Sequence, residues 1–220
     1  MPIPEKYLAN FEEDGIYHIF NRTNNGEKLF LSDENRHFFL RKYKEHLSDY
    51  LDAYCWCLLP NHFHFLVRVK SHKTLTETIT NKEFNDCSLT EKKFRDNLCS
   101  ISDLIAHSFK RFFQSYSLSF NKAFQRKGNL FYKPFKRIVV NKETQFTQAI
   151  VYIHANPVKH GLTKDFTNYE WSSWRSYMSD APTLLLRKEI FDFFGNREQF
   201  IKAHKDLTQY YYESDISIED

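Results

Sequence analysis

The chain has 220 residues, 41% of them hydrophobic and 17% aromatic, with 22 Phe and 13 Tyr against five Gly and six Pro. This composition excludes a disordered or fibrous chain and points to one globular domain, or one domain with appendages, long enough to bury a core. The formal net charge is only +3, "MPIPEKYLANFEEDG" has no apolar leader region, and no run approaches the ~18 apolar residues that span a bilayer, so the chain reads as cytoplasmic with no membrane partner.

In chain order, residues 1–14 read as a loosely held lead-in. "GIYHIFNRT" (15–23) is rich in β-branched and aromatic residues and predicts a strand. After the turn signal "NNGEKLF", residues 32–49 start on a serine or aspartate N-cap and carry Phe39, Tyr43 and Leu47 at helical spacing. "LDAYCWCLLP" (51–60) and "HFHFLVRVK" (62–70) read as two strands around Pro60 and Asn61, a tight antiparallel hairpin. The polar segment 71–100 reads as short helices or a mobile excursion. Residues 101–124 predict a helix whose apolar stripe is Leu104, Ile105, Phe109, Phe112, Phe113 and Tyr116. "RKGNLFYKPFKRIVV" (126–140) holds a turn and a fourth strand, and 142–161 predicts a helix broken near Asn156 or Pro157.

Four strands interleaved with two helices predict an α+β, ferredoxin-like (RRM-like) antiparallel sheet, with helices packed on one face and the other face open. Residues 1–165 form the main domain with the 71–100 insertion, and 166–220 form a C-terminal extension packed on it, ending in an acidic tail. Cys55, Cys57, Cys87 and Cys99 lack the spacing of zinc sites and read as free thiols packed as small apolar groups.

Within "LLPNHFHFLV" (58–67), His62 and His64 lie two apart on a strand and so point to one face, with Leu66, while Phe63, Phe65 and Val67 face the other way. Two adjacent imidazoles can form half of a divalent-metal site; the alternative is a pair of surface histidines. In "YIHANP", Tyr152 and Asn156 share a helix face. Tyrosine can act as a nucleophile and the Asn oxygen as a hard ligand, or the two can be a core aromatic and a helix-ending residue. His154 lies off that face and suits packing or a phosphate contact. Between Leu104 and Lys142 nine Lys or Arg occur with no acid, whereas five acids and no Lys or Arg follow Lys205. That asymmetry points to a polyanionic partner.

"LLPNHFHFLV", "GNLFYKPFKRIVV", "YIHANPVKHGL" and "YEWSSWRSY", in that order, resemble the REP-associated tyrosine transposases of the single-tyrosine HUH superfamily, in which two histidines flank a hydrophobic residue. The resemblance runs from about Tyr17 to Tyr177. It implies a ferredoxin-like fold with the histidine pair on a central strand, and cutting and rejoining of single-stranded DNA beside a foldback hairpin through a 5′-phosphotyrosine. On its motifs, His62, His64 and Asn156 are the metal ligands and Tyr152 the nucleophile. The 71–100 segment is longer than the family's usual connection.

A divalent cation, Mg²⁺ or Mn²⁺, is the implied cofactor, with Mn²⁺ the better match to imidazole. Single-stranded or hairpin DNA is the implied partner. Lys110, Arg111, Lys122, Arg126, Lys127, Lys133, Lys136 and Arg137 are candidate phosphate contacts, Phe131 and Tyr132 candidate base-stacking rings, and Arg175 a candidate hairpin contact. A non-cutting hairpin-binding protein and a protein-interaction domain are the competing functions, and monomer and homodimer stay open.

Overall fold

The computed structural model describes residues 4–213. Its centre is a four-stranded antiparallel sheet of β1 (Ile16–Arg22), β2 (Leu51–Leu59), β3 (His62–Val69) and β4 (Lys136–Val139), in the order β2-β3-β1-β4. Helix α1 (Asp33–Leu47) connects β1 to β2, and α4 (Ile101–Ala123) lies between β3 and β4. With the short α2 (His72–Thr80) and α3 (Leu89–Arg95) inserted before α4, this is the expected β-α-β-β-α-β ferredoxin-like arrangement. The Ser32 side chain caps α1, and Ser100 and Asp103 form a capping box at α4.

One face of the sheet carries the larger core. Tyr17, Ile19, Phe63, Phe65 and Val67 pack beneath α1 and α4, and Phe39 packs edge-on to Phe112 and Tyr116, each ring centroid at 4.9 Å. Strand periodicity sends these side chains one way, as expected from the sequence. The lead-in is not loose: Tyr7 and Phe11 are buried, Phe11 packs 4.9 Å from Tyr17, and Arg137 donates to the Ala9 carbonyl. The 71–100 segment is helical and anchored. Leu75, Ile79 and Phe94 enter the core, and buried Glu91 accepts from Tyr50 Oη at 2.6 Å and Lys82 Nζ at 2.9 Å.

The opposite face is not open, as the sequence suggested, but covered. Helix α5 (Glu143–Lys159) lies across it, and α6 (Trp174–Met178), α7 (Arg187–Phe194) and α8 (Arg197–Glu213) of the C-terminal extension complete a second core with Cys55, Cys57, Leu59 and Leu66. The cause is composition: α5 buries Ala149, Ile150, Val151 and Ile153 as well as the polar positions between and after them, and a helix apolar on most sides is enclosed on most sides. All four cysteines are free thiols, and the two in this core, Cys55 and Cys57, are held far above their usual pKa by burial.

Helix α5 also runs through Pro157 instead of breaking there. Its stop is Gly161 at φ 66°, where the Leu162 N–H donates to the Pro157 carbonyl at 2.8 Å and the Gly161 N–H to the Val158 carbonyl at 2.9 Å. That is a Schellman termination, which requires a left-handed residue and so favours glycine. Among the described residues no helix is long and apolar enough to cross a membrane. Asp206 is exposed on α8, while Asp215, Glu219 and Asp220 of the acidic tail lie outside the described residues.

Candidate active site

Strand register determines which side chains meet on the α5 face. β1 and β3 pair His18 with Leu66, Phe20 with His64 and Arg22 with His62. Side chains directly opposite in an antiparallel pair share a face, so β1 contributes His18, Phe20 and Arg22 beside the histidine pair. The His62 and His64 rings lie edge-to-face at 5.2 Å. His62 is half-buried at the end of β3, and its Nδ1 stands 2.7 Å from Asn61 Oδ1. An Nδ1–H donated there leaves Nε2 as the lone-pair nitrogen of the neutral ring. His64 is fully buried, with Nδ1 3.0 Å from His18 Nε2.

Helix α5 brings the tyrosine to this pair. The Tyr152 ring lies 5.9 Å from that of His64, nearly perpendicular at 88°, and 6.1 Å from that of His18. Lys159 Nζ stands 5.5 Å from the Tyr152 ring centroid. Four residues beyond Tyr152 on the same face, Asn156 is fully buried, and neither Oδ1 nor Nδ2 has a hydrogen-bond partner. Buried amides are normally satisfied, and leaving one unpaired costs about 1–3 kcal/mol. A further turn on, at the end of α5, His160 is exposed and its ring packs 4.7 Å from that of His62. Tyr152 itself is only 2% exposed, so the expected accessible nucleophile on an open sheet face is instead a phenol under cover.

The structure thus brings together His62, His64 and Tyr152, with Asn156 one turn from the phenol. Among the described residues no group of three or more His, Cys, Asp or Glu could hold a metal; the expected set has only two such residues. The orphaned Asn156 amide lies on α5 between Tyr152, which packs on His64, and His160, which packs on His62, and its chemistry fits a cation that takes nitrogen and carbonyl-oxygen donors. The sequence reading passed over His18, Lys159 and His160. His18 carried a signal, because the alternation in "GIYHIFNRT" places it two residues before Phe20 on a strand; its pairing with β3 did not. His154 is a packing residue: it is fully buried, 2.8 Å from both His204 and Ser173.

The candidate DNA contacts divide by environment. Lys110, Lys122, Lys127 and Lys133 are exposed, as is Tyr132, whose ring lies 4.9 Å from the Arg22 guanidinium. Arg111 is exposed and 3.8 Å from Glu91. Arg126 is committed to the fold: it pairs with Glu27 and donates to the Lys127, Gly128 and Asn129 carbonyls. Arg137 is likewise bound to the Ala9 and Leu8 carbonyls, and Lys136 Nζ sits 4.4 Å over the Tyr7 ring. Phe131 is 4% exposed, packed among Phe63, Phe113 and Tyr116, and has no face for a base. Its neighbour Tyr132 in the same loop is exposed. In "YEWSSWRSY", Trp174 is core, Trp171 packs on His37, and Arg175 is exposed, 3.4 Å from Glu170.

No protein-family profile matches the sequence, and no curated protein does. A solved structure described as that of the REP-associated tyrosine transposase bound to a REP hairpin aligns over 83% of this chain and 89% of its own, with a TM-score of 0.47 and 16% sequence identity.

Proposed function

We propose that the protein cleaves and rejoins single-stranded DNA beside hairpins through a 5′-phosphotyrosine on Tyr152. The observation that carries this reading is the convergence of His62, His64 and Tyr152, with the orphaned Asn156 amide on the same helix face. A binding protein needs none of these four side chains.

In this reading His62, His64 and the Asn156 oxygen hold a divalent cation, Mn²⁺ or Mg²⁺, which supplies charge withdrawal from the phosphate. Tyr152 Oη attacks phosphorus, the bond to the 3′ oxygen breaks, and that oxygen leaves with a proton as a free 3′-OH. The reverse attack by another 3′-OH releases Tyr152 and joins strands without a nucleotide cofactor. Phenols ionise near pH ~10 in water, so the attack requires a cation close to the ring, and the Lys159 ammonium provides one. His18 holds His64 through its Nδ1, orienting Nε2 of that ring away from β1. The strand enters from the rim at His62 and His160, the exposed end of the cluster, and that rim opens for the phosphate to reach Tyr152.

Exposed Lys110, Lys122, Lys127, Lys133, Arg111 and Arg175 contribute phosphate contacts, and Tyr132 a stacking ring. The 2% exposure of Tyr152 favours a second reading, a hairpin-binding protein that does not cut. A labelled hairpin oligonucleotide incubated with the protein and Mn²⁺ separates them. Cutting with label retained on the protein is expected; an intact strand bound without an adduct would leave only the second reading. Calorimetry adds a check that needs no DNA. Mn²⁺ binding should weaken at least about a hundredfold in His64→Ala, and unchanged binding would remove His64 from the ligand set.

A further inference from the structure

On the other side of the sheet from Tyr152, between α4 and the loop that leads into β4, lies a cavity of about 500 Å³. Phe113, Leu118, Tyr132 and Phe135 are among its apolar lining residues, with the buried Leu130 and Phe131 behind them. Leu118 is 63% exposed and Tyr132 43%, an unusual pair of large apolar side chains for one groove in solvent. Lys110 and Lys133 stand on its rim, and no acid lines it. The amides of Gln114 and Asn129 also border it.

The walls are fixed before any ligand arrives. Asn121 Nδ2 donates to the Gly128 carbonyl at 2.9 Å and Asn21 Nδ2 to the Tyr132 carbonyl at 3.0 Å, tying the loop to α4 and to β1. Arg126, a candidate phosphate contact from the sequence, instead binds three successive loop carbonyls and holds the wall in place. A volume within the ~300–1,000 Å³ of small-molecule sites, apolar walls, two cations and amide edges suit a flat apolar ring that carries an anion. A nucleotide is a ligand of that kind.

We infer that this groove holds an unpaired nucleotide of a single strand, its base between Leu118 and the Phe113, Phe135 and Tyr132 rings and its phosphates on Lys110 and Lys133. The site deepens the proposed function and rests on it for the identity of the strand. Position supports the link. Tyr132 closes one side of the groove and stacks on Arg22, which pairs directly across from His62. The groove and the histidine pair therefore lie at the same end of the sheet, on opposite faces, with the Arg22–Tyr132 stack at the edge between them. A strand anchored in the groove passes that stack on its way to His62.

The test uses a hairpin oligonucleotide with a short single-stranded extension, the fluorescent base aminopurine replacing each extension base in turn. With the wild-type chain, one position changes its emission on binding. Leu118→Asp, at an exposed site that leaves the core intact, abolishes that change and weakens extension binding about tenfold, while a blunt hairpin binds as before. Lys110→Ala with Lys133→Ala flattens the salt dependence by a log–log slope of about 1.4. Unchanged binding and emission in Leu118→Asp would overturn the inference, and so would an effect of the lysine pair alone. The Tyr152 adduct is read on the same oligonucleotide. An adduct with silent aminopurine at every position sinks the groove and leaves the cutting reaction standing. An emission change without an adduct does the reverse.

Discussion

Tyr152→Phe is expected to abolish the denaturant-resistant protein–DNA adduct, by at least about a thousandfold, because the proposed covalent bond to DNA forms on the Tyr152 hydroxyl. The substitution is close to ideal as a probe. It keeps the ring that packs on His64 and His18 and removes only the hydroxyl, so the variant should still fold and bind the hairpin. A labelled hairpin with Mn²⁺, resolved on a denaturing gel, reads the adduct directly. An adduct of equal yield in Tyr152→Phe would assign the covalent bond to another residue and remove Tyr152 from the reaction.

His204→Ala is expected to cost about 2–4 kcal/mol of stability, lowering the melting temperature by about 5–12 °C. The reason is a buried chain of hydrogen bonds with one consistent set of protons. The Trp56 N–H donates to Ser173 Oγ at 2.9 Å, and the Ser173 hydroxyl donates to His154 Nε2 at 2.8 Å. His154 Nδ1–H then donates to His204 Nε2 at 2.8 Å, and His204 Nδ1–H to the Phe200 carbonyl at 2.8 Å. The chain joins β2, α5, α6 and α8, and every imidazole in it is neutral. Losing His204 strands a buried N–H on His154 and leaves a hole beside Phe200.

Acid reads the same network. Burial holds His154 well below the ordinary histidine pKa and lowers His204 to about 4. Unfolded histidines titrate near ~6.5, so between those values the unfolded chain binds more protons than the folded one. The stability from the neutral pair is complete above pH ~6.5 and falls as the pH drops toward 4. Thermal unfolding followed by circular dichroism should show that decline, and His204→Ala should make it shallower. A melting temperature unmoved by His204→Ala would mean that the chain of bonds contributes nothing to holding α5.

The sheet and its first core were legible because two periodicities settle them. Phe63, Phe65 and Val67 alternate against His62, His64 and Leu66, and Phe39, Tyr43 and Leu47 recur at helical spacing. The second face was misread because a helix rich in both apolar and polar buried residues has no single stripe. Tyr152 and Asn156 are buried on one side of α5 and His154 on another. Pro157 misled in the same helix, since its lost N–H matters little one turn from a termination that Gly161 dictates. Within the site, His62 and His64 announced themselves by spacing two apart on one strand. His18 meets them only through register, and His160 only through the way α5 lies over the sheet, neither of which a linear pattern encodes. Phe131 and Tyr132 illustrate the limit at single-residue scale: adjacent aromatics in one loop, one in the core and one on the surface.

The most direct test of the central claim is a crystal of the protein soaked in Mn²⁺ and measured at an energy where manganese scatters anomalously. One peak bonded to His62, His64 and the Asn156 side-chain oxygen, with Tyr152 facing it, is the expected result. No peak at those residues at saturating Mn²⁺, or a peak held by other side chains, would contradict it.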